Sequence, residues 1–121
     1  RPGTGPREGV VPSAFHLEVV SPEAVIWSGE AEMLLTRTSD GELAVMANHE
    51  PLMGLLTPWS AVITPATGPP KVVLAVRSGF LQVVGNRVTL LTDLAEVVEG
   101  EGPEVVEEAR QRAAAMAEAE G

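Results

Sequence analysis

Residues 71–91, KVVLAVRSGFLQVVGNRVTLL, hold three short apolar runs, 71–77, 80–84 and 87–91, separated by Ser78-Gly79 and Gly85-Asn86. Gly85-Asn86 is a two-residue spacer of the kind that closes a tight hairpin, so the stretch is predicted to be an antiparallel meander. Upstream the pattern repeats. Residues 61–64, 52–56, 43–46, 31–38 and 24–27 are apolar runs, and Phe15-His16-Leu17-Glu18-Val19 alternates as a strand buried on one face does. Ser21-Pro22-Glu23, Ser28-Gly29-Glu30, Ser39-Asp40-Gly41 and Asn48-His49-Glu50-Pro51 are the punctuation between them. Downstream, residues 94–98 close the series. Nine or ten short strands at intervals of roughly 8–12 residues, with no helical pattern between them, predict an all-β sandwich or barrel.

The two ends differ from this body. Residues 1–12, with three Pro and three Gly and no periodicity, read as a flexible tail. After Gly100-Glu101-Gly102, Pro103 suits the first turn of a helix, and Val105, Ala109, Ala113, Met116 and Ala117 fall at helical spacing over 104–119. The expected layout is a tail over 1–12, a β-sandwich over 13–100, and a linker with a single C-terminal helix over 101–121. A helix of about 16 residues is marginal alone in water, so it must dock or fray.

Composition agrees and excludes much. The chain has 121 residues, 45% of them hydrophobic, with 17 Val but only two Phe, two Trp and no Tyr. Valine at that level favours strands. There is no cysteine, hence no disulfide, thiolate nucleophile or Cys-based zinc site. Seventeen acids against eight bases leave a net charge of −9, which disfavours nucleic acid and anionic bilayers as partners. No apolar run approaches the roughly 20 residues of a membrane span, and residues 1–12 lack the order of a signal peptide. A soluble, intracellular protein is expected.

The residues assemble no catalytic set. His16 alternates outward from a strand, His49 sits in a turn, and neither belongs to a metal-binding spacing, so no metal is expected. Trp27 ends a buried-looking strand, whereas Trp59, between Pro58 and Ser60, is expected to be partly exposed. Between Arg87 and Arg110 lie seven acids and no base, which is either a solvated face or a surface aimed at a basic partner. A binding or scaffolding role survives where an enzyme does not.

The order of motifs resembles the epsilon subunit of bacterial F-type ATP synthase. The resemblance is carried by residues 15–23, Trp27-Ser28-Gly29, Asp40-Gly41-Glu42-Leu43-Ala44-Val45, Asn48-His49-Glu50-Pro51-Leu52, Ser78-Gly79-Phe80-Leu81-Gln82-Val83 and Arg87-Val88-Thr89-Leu90-Leu91, and it extends to about residue 112. It implies a ten-stranded sandwich of two five-stranded sheets followed by helices. It also implies a non-catalytic stalk subunit that couples proton-driven c-ring rotation to ATP synthesis. The implied partners are the gamma subunit, the polar loops of the c-ring and, through the C-terminal helix, the alpha/beta catalytic head. The implied location is peripheral, on the cytoplasmic face of the bacterial membrane, with regulation of ATP hydrolysis assigned to the helix. By position, Glu42 matches the c-ring contact, and Ser21 and His49 match the face against gamma.

Three departures stand out. Ala47-Asn48 replaces the family's usual Pro-Gly, and Asn tolerates the left-handed conformation such a turn needs. Trp59 stands where Gly is common. A single C-terminal helix is expected where the family's full hairpin has two, and at about 1.5 Å per residue its roughly 16 residues span only about 24 Å, which favours docking near the sandwich over deep insertion into the head. Some relatives bind ATP through an Ile/Leu-Asp-x-x-Arg-Ala motif. Val106-Glu107-Glu108-Ala109-Arg110-Gln111 matches it in part, which makes Glu107 and Arg110 the nucleotide-binding candidates. The ordinary alternative is an Arg110–Glu107 pair along the helix. No other cofactor is expected, and the second functional reading is an ATP-sensing module.

Overall fold

A computed structural model of the chain describes residues 14–120; the tail expected over 1–12 lies outside the described residues. Nine strands run as β1 (Phe15–Val20), β2 (Val25–Thr38), β3 (Gly41–Val45), β4 (Leu52–Leu56), β5 (Trp59–Pro65), β6 (Val72–Val76), β7 (Gly79–Val84), β8 (Arg87–Thr92) and β9 (Ala95–Val98), followed by the helix α1 (Pro103–Glu120). The 71–91 meander forms as its spacers dictate. Val84 pairs with Arg87 across Gly85-Asn86, and Gly85 takes the positive φ of 62° that such a loop requires. Asn48 also adopts a left-handed φ of 65°, so the turn survives the loss of the usual glycine.

The expected count of ten strands in two five-stranded sheets is corrected. The nine strands are hydrogen-bonded into one sheet, in the order β1-β8-β7-β4-β2-β5-β6-β9, with β3 on β2 and an additional β1–β2 pairing that closes the circuit. The difference lies in β2, a 14-residue strand where Ser28-Gly29-Glu30 suggested a break. Those residues stay in the ladder opposite Glu18, Leu17 and His16. Gly29 makes room for an indole: a Cβ there would lie 3.3 Å from Trp27 Cη2. The first half of β2 pairs with β1 and the second half with β3 and β5, so one strand serves both layers.

The inner faces enclose Phe15, Leu17, Val19, Leu34, Ile63, Leu74, Leu81 and Leu90, with Trp27 packed against them. A second, smaller core lies outside the sandwich. There Ala109, Ala113 and Met116 of α1 cover the outward residues Val62, Val73, Ala75 and Val98 of β5, β6 and β9. The helical stripe read from the sequence is therefore the docking seam. Gly79 is fixed by a close approach: a Cβ there would lie 1.9 Å from the Leu91 carbonyl oxygen.

Candidate functional site

Two surfaces stand out, one on each outer face of the folded sheet. On β4, β7 and β8 the register sets Leu55 opposite Phe80 and Phe80 opposite Leu91, and β1 continues the row with Val20. Leu55, Phe80 and Leu91 are each about half exposed, with Met53 and Val84 exposed nearby. The next row is Met53, Gln82, Thr89 and Glu18, and beyond it Arg87 and the His16–Glu30 pair at 3.2 Å form a polar border. An apolar patch with a polar border is the anatomy of a protein-binding surface. Sequence reading passed over this row because the same strands carry core residues at alternate positions. The available signal was apolar residues on both faces of β7 and β8, which marks a sheet covered on both sides.

The second surface lies where α1 meets β5. The Arg37 and Arg110 guanidinium carbons lie over the Trp59 ring, 3.8 and 4.1 Å from its centroid. Arg37 is held by hydrogen bonds from Nε to Thr57 Oγ1 at 3.0 Å and from Nη2 to the Pro58 carbonyl at 3.1 Å. Arg110 donates from Nε to Ser60 Oγ at 3.1 Å, and its Nη2 stands 4.0 Å from Glu42 Oε2. A cavity of about 320 Å³ opens here, lined by Leu35, Glu42, Leu43, Trp59, Ser60 and Arg110.

The residues singled out from the sequence do not converge on one point. Glu42 and Arg110 meet at this junction, with Glu42 directly across from Arg37 in the β2–β3 ladder. Arg110 pairs with Ser60 and Glu42 on the sandwich rather than with Glu107, which is exposed one turn away on α1. Ser21 is tied locally, its Oγ donating to the Ala24 carbonyl at 3.3 Å. His49 Nδ1 donates to the Glu50 carbonyl at 2.8 Å. Ser21 follows Val20, which pairs with Leu91, whereas neighbouring Asn48 bonds Asn86 before β8 begins. The two thus stand at opposite ends of β8, about 20 Å apart at roughly 3.3 Å per residue. Trp59 is partly exposed as expected, and no local signal would have paired it with Arg37.

Four of the seven acids in the acid-rich stretch are paired within the molecule. Asp93 accepts from Arg77 Nε at 2.9 Å and from the Ser78 amide at 3.1 Å. Glu101 accepts from the Lys71 amide at 2.8 Å, and Arg112 bridges Glu96 and Glu108. Burial raises the Asp93 carboxyl, but the bonds from Ser78 and Arg77 and the Arg77 charge outweigh it and hold the group below the usual carboxylate range. This pair ties the two ends of the β7–β8 hairpin. Among the described residues no group of three or more His, Asp or Glu could hold a metal ion, and no helix is long and apolar enough to cross a membrane.

Residues 14–98 match the family described as ATP synthase, Delta/Epsilon chain, beta-sandwich domain. The chain is 35% identical over 107 residues to the ATP synthase epsilon chain of Streptomyces avermitilis, covering 88% of this chain and 82% of that one. It is 40% identical over 101 residues to the ATP synthase epsilon chain of Brevibacillus brevis, covering 84% and 76%. A solved chain in the mitochondrial ATP synthase assembly of Euglena gracilis, comprising OSCP, F1 and c-ring, superposes with a TM-score of 0.67 at 25% identity, over 92% of this chain and 72% of that one. The nine-stranded sandwich and the sequence similarity agree: this chain belongs to the ATP synthase delta/epsilon chain family, and its residues 14–98 are that family's β-sandwich domain.

Proposed function

We propose that the chain is a non-catalytic epsilon subunit of the ATP synthase central stalk, coupling c-ring rotation to ATP synthesis through the gamma subunit. The observation that carries this reading is the Leu55–Phe80–Leu91 row, an apolar surface on a family member whose opposite face is already covered by its own helix. In this reading gamma covers the row, with Ser21 and His49 at the two ends of the contact. Glu42, 63% exposed, offers its carboxylate to basic c-ring loops. The subunit then sits peripherally on the cytoplasmic face of the membrane, and α1 is the element through which the alpha/beta head would be met and hydrolysis restrained.

The test is reconstitution with the gamma subunit of the same complex. The native chain should co-elute with gamma, and a Leu55→Glu/Phe80→Glu variant should remain folded and lose at least tenfold in affinity, since buried apolar anchors dominate such contacts. Undiminished binding by that variant would sink the proposed surface. Glu42→Lys should leave gamma binding intact and reduce coupled proton pumping in the assembled enzyme.

The cavity beside Arg110 supports the second reading, an ATP-sensing module using Arg110 and Glu107. The coupling role is favoured because Arg110 is already shared among Trp59, Ser60 and Glu42, and because Glu42 puts a negative charge on the cavity wall that phosphates would face. Titration with ATP followed by amide shifts over 104–112 distinguishes the two.

A further inference from the structure

We propose that the stack of Arg37, Trp59 and Arg110 is a latch that holds α1 docked on the sandwich without any bound ligand. The need for one follows from the seam. Two of its three fully covered helical residues are alanines, Ala109 and Ala113, which bury little area, and the last turn of α1 carries no basic residue to offset its dipole. A helix of this length is marginal unless something beyond propensity holds it.

The latch has a fixed half and a movable half. Every hydrogen bond of Arg37 described above goes to the turn before β5, so Arg37 and Trp59 belong to the sandwich and keep their arrangement when the helix leaves. Arg110 is the arriving group. It settles over the indole face, takes Ser60 Oγ as acceptor, and finds in Glu42 a counter-charge to the two guanidinium groups. The attraction of a guanidinium to an indole face grows as water is excluded, and Ser60 beneath it is buried. Arg110 therefore adds in the middle of α1 a directional contact that the alanine seam lacks, and its loss frees the helix while the sandwich persists.

Hydrogen exchange on the full chain alone tests this independently of any gamma or c-ring contact. Trp59→Leu should speed exchange of amides 106–117 by roughly threefold to thirtyfold, Trp59→Phe by less, because a phenyl ring keeps part of the attraction. Arg110→Gln, which keeps a donor for Ser60 and removes the cation, should match Trp59→Leu, and the double variant should be no worse than either single one. Amides of Leu17, Val88 and Leu90 should be unchanged in all of them. Equal effects of Phe and Leu at position 59, additive effects in the double variant, or unchanged helix exchange in Arg110→Gln would each overturn the latch. Arg110→Gln also guards against misfolding of the Trp59 variants, since Arg110 lies at the helix surface.

Discussion

On β5, β6 and β9 the outward residues Val62, Val73, Ala75 and Val98 are buried under α1, whereas on β4, β7 and β8 the outward residues Leu55, Phe80 and Leu91 stay about half exposed. Both faces belong to the same hydrogen-bonded sheet, and both carry apolar side chains where a one-sided sheet would carry polar ones. One is completed by the chain's own helix. The other has the composition of a face completed by another protein. Covering a face intramolecularly costs the ordering of an 18-residue helix, and here it takes a seam of small residues together with a polar stack. The bare face keeps larger side chains, which suits a partner that supplies its own bulk.

The difference can be broken or sharpened by substitution. The largest effect is expected from Gly79→Ala. A Cβ 1.9 Å from the Leu91 carbonyl forces β7 and β8 apart and distorts the bare face from beneath, so urea denaturation should show a loss of about 3 kcal/mol or more. Next comes Ala113→Asp, which sets a carboxylate into the helix seam. Undocking of α1 caps the cost at about 2 kcal/mol, and the released variant should bind a hydrophobic dye through Val62, Val73 and Val98 while the sandwich stays folded. A smaller change follows from Phe80→Ser with Leu91→Ser. These half-exposed residues should cost under about 1 kcal/mol by thermal unfolding, so a large loss would mean that the row supports the fold rather than a partner.

The smallest effect concerns Asp93. Its carboxyl is held below the usual range, so the folded chain binds this proton less readily than the unfolded one. The contribution to stability is present above the ordinary aspartate value of about 3.9 and fades as pH falls through the lower folded value. Asp93→Asn should flatten the acid limb of the stability curve below about pH 4 and leave both faces as they are.

Much of the fold was legible in the residues. The alternation of residues 15–19, the Gly85-Asn86 hairpin and the small-residue stripe from Val105 to Ala117 lead to β1, β7–β8 and α1, because periodicity records which side of an element meets the core. The single misreading of consequence, at Ser28-Gly29-Glu30, came from a glycine that serves packing against Trp27 instead of a turn. Spacing does not distinguish those two uses. The site was less legible. Glu42 and Arg110 are 68 positions apart, and nothing local in either announces that they share a cavity with Trp59.

Strand identity, turn chemistry and the amphipathic helix are written locally, since each depends on neighbours within a few residues. Which outward apolar rows are covered, and by what, depends on the path of the whole sheet. The folding of β2 into both layers leaves β5, β6 and β9 facing the helix and carries β4, β7 and β8 to the other side. It also places Arg37 over Trp59, where Arg110 can meet them. Those juxtapositions join residues distant along the chain, and they exist only once the long-range pairings have formed.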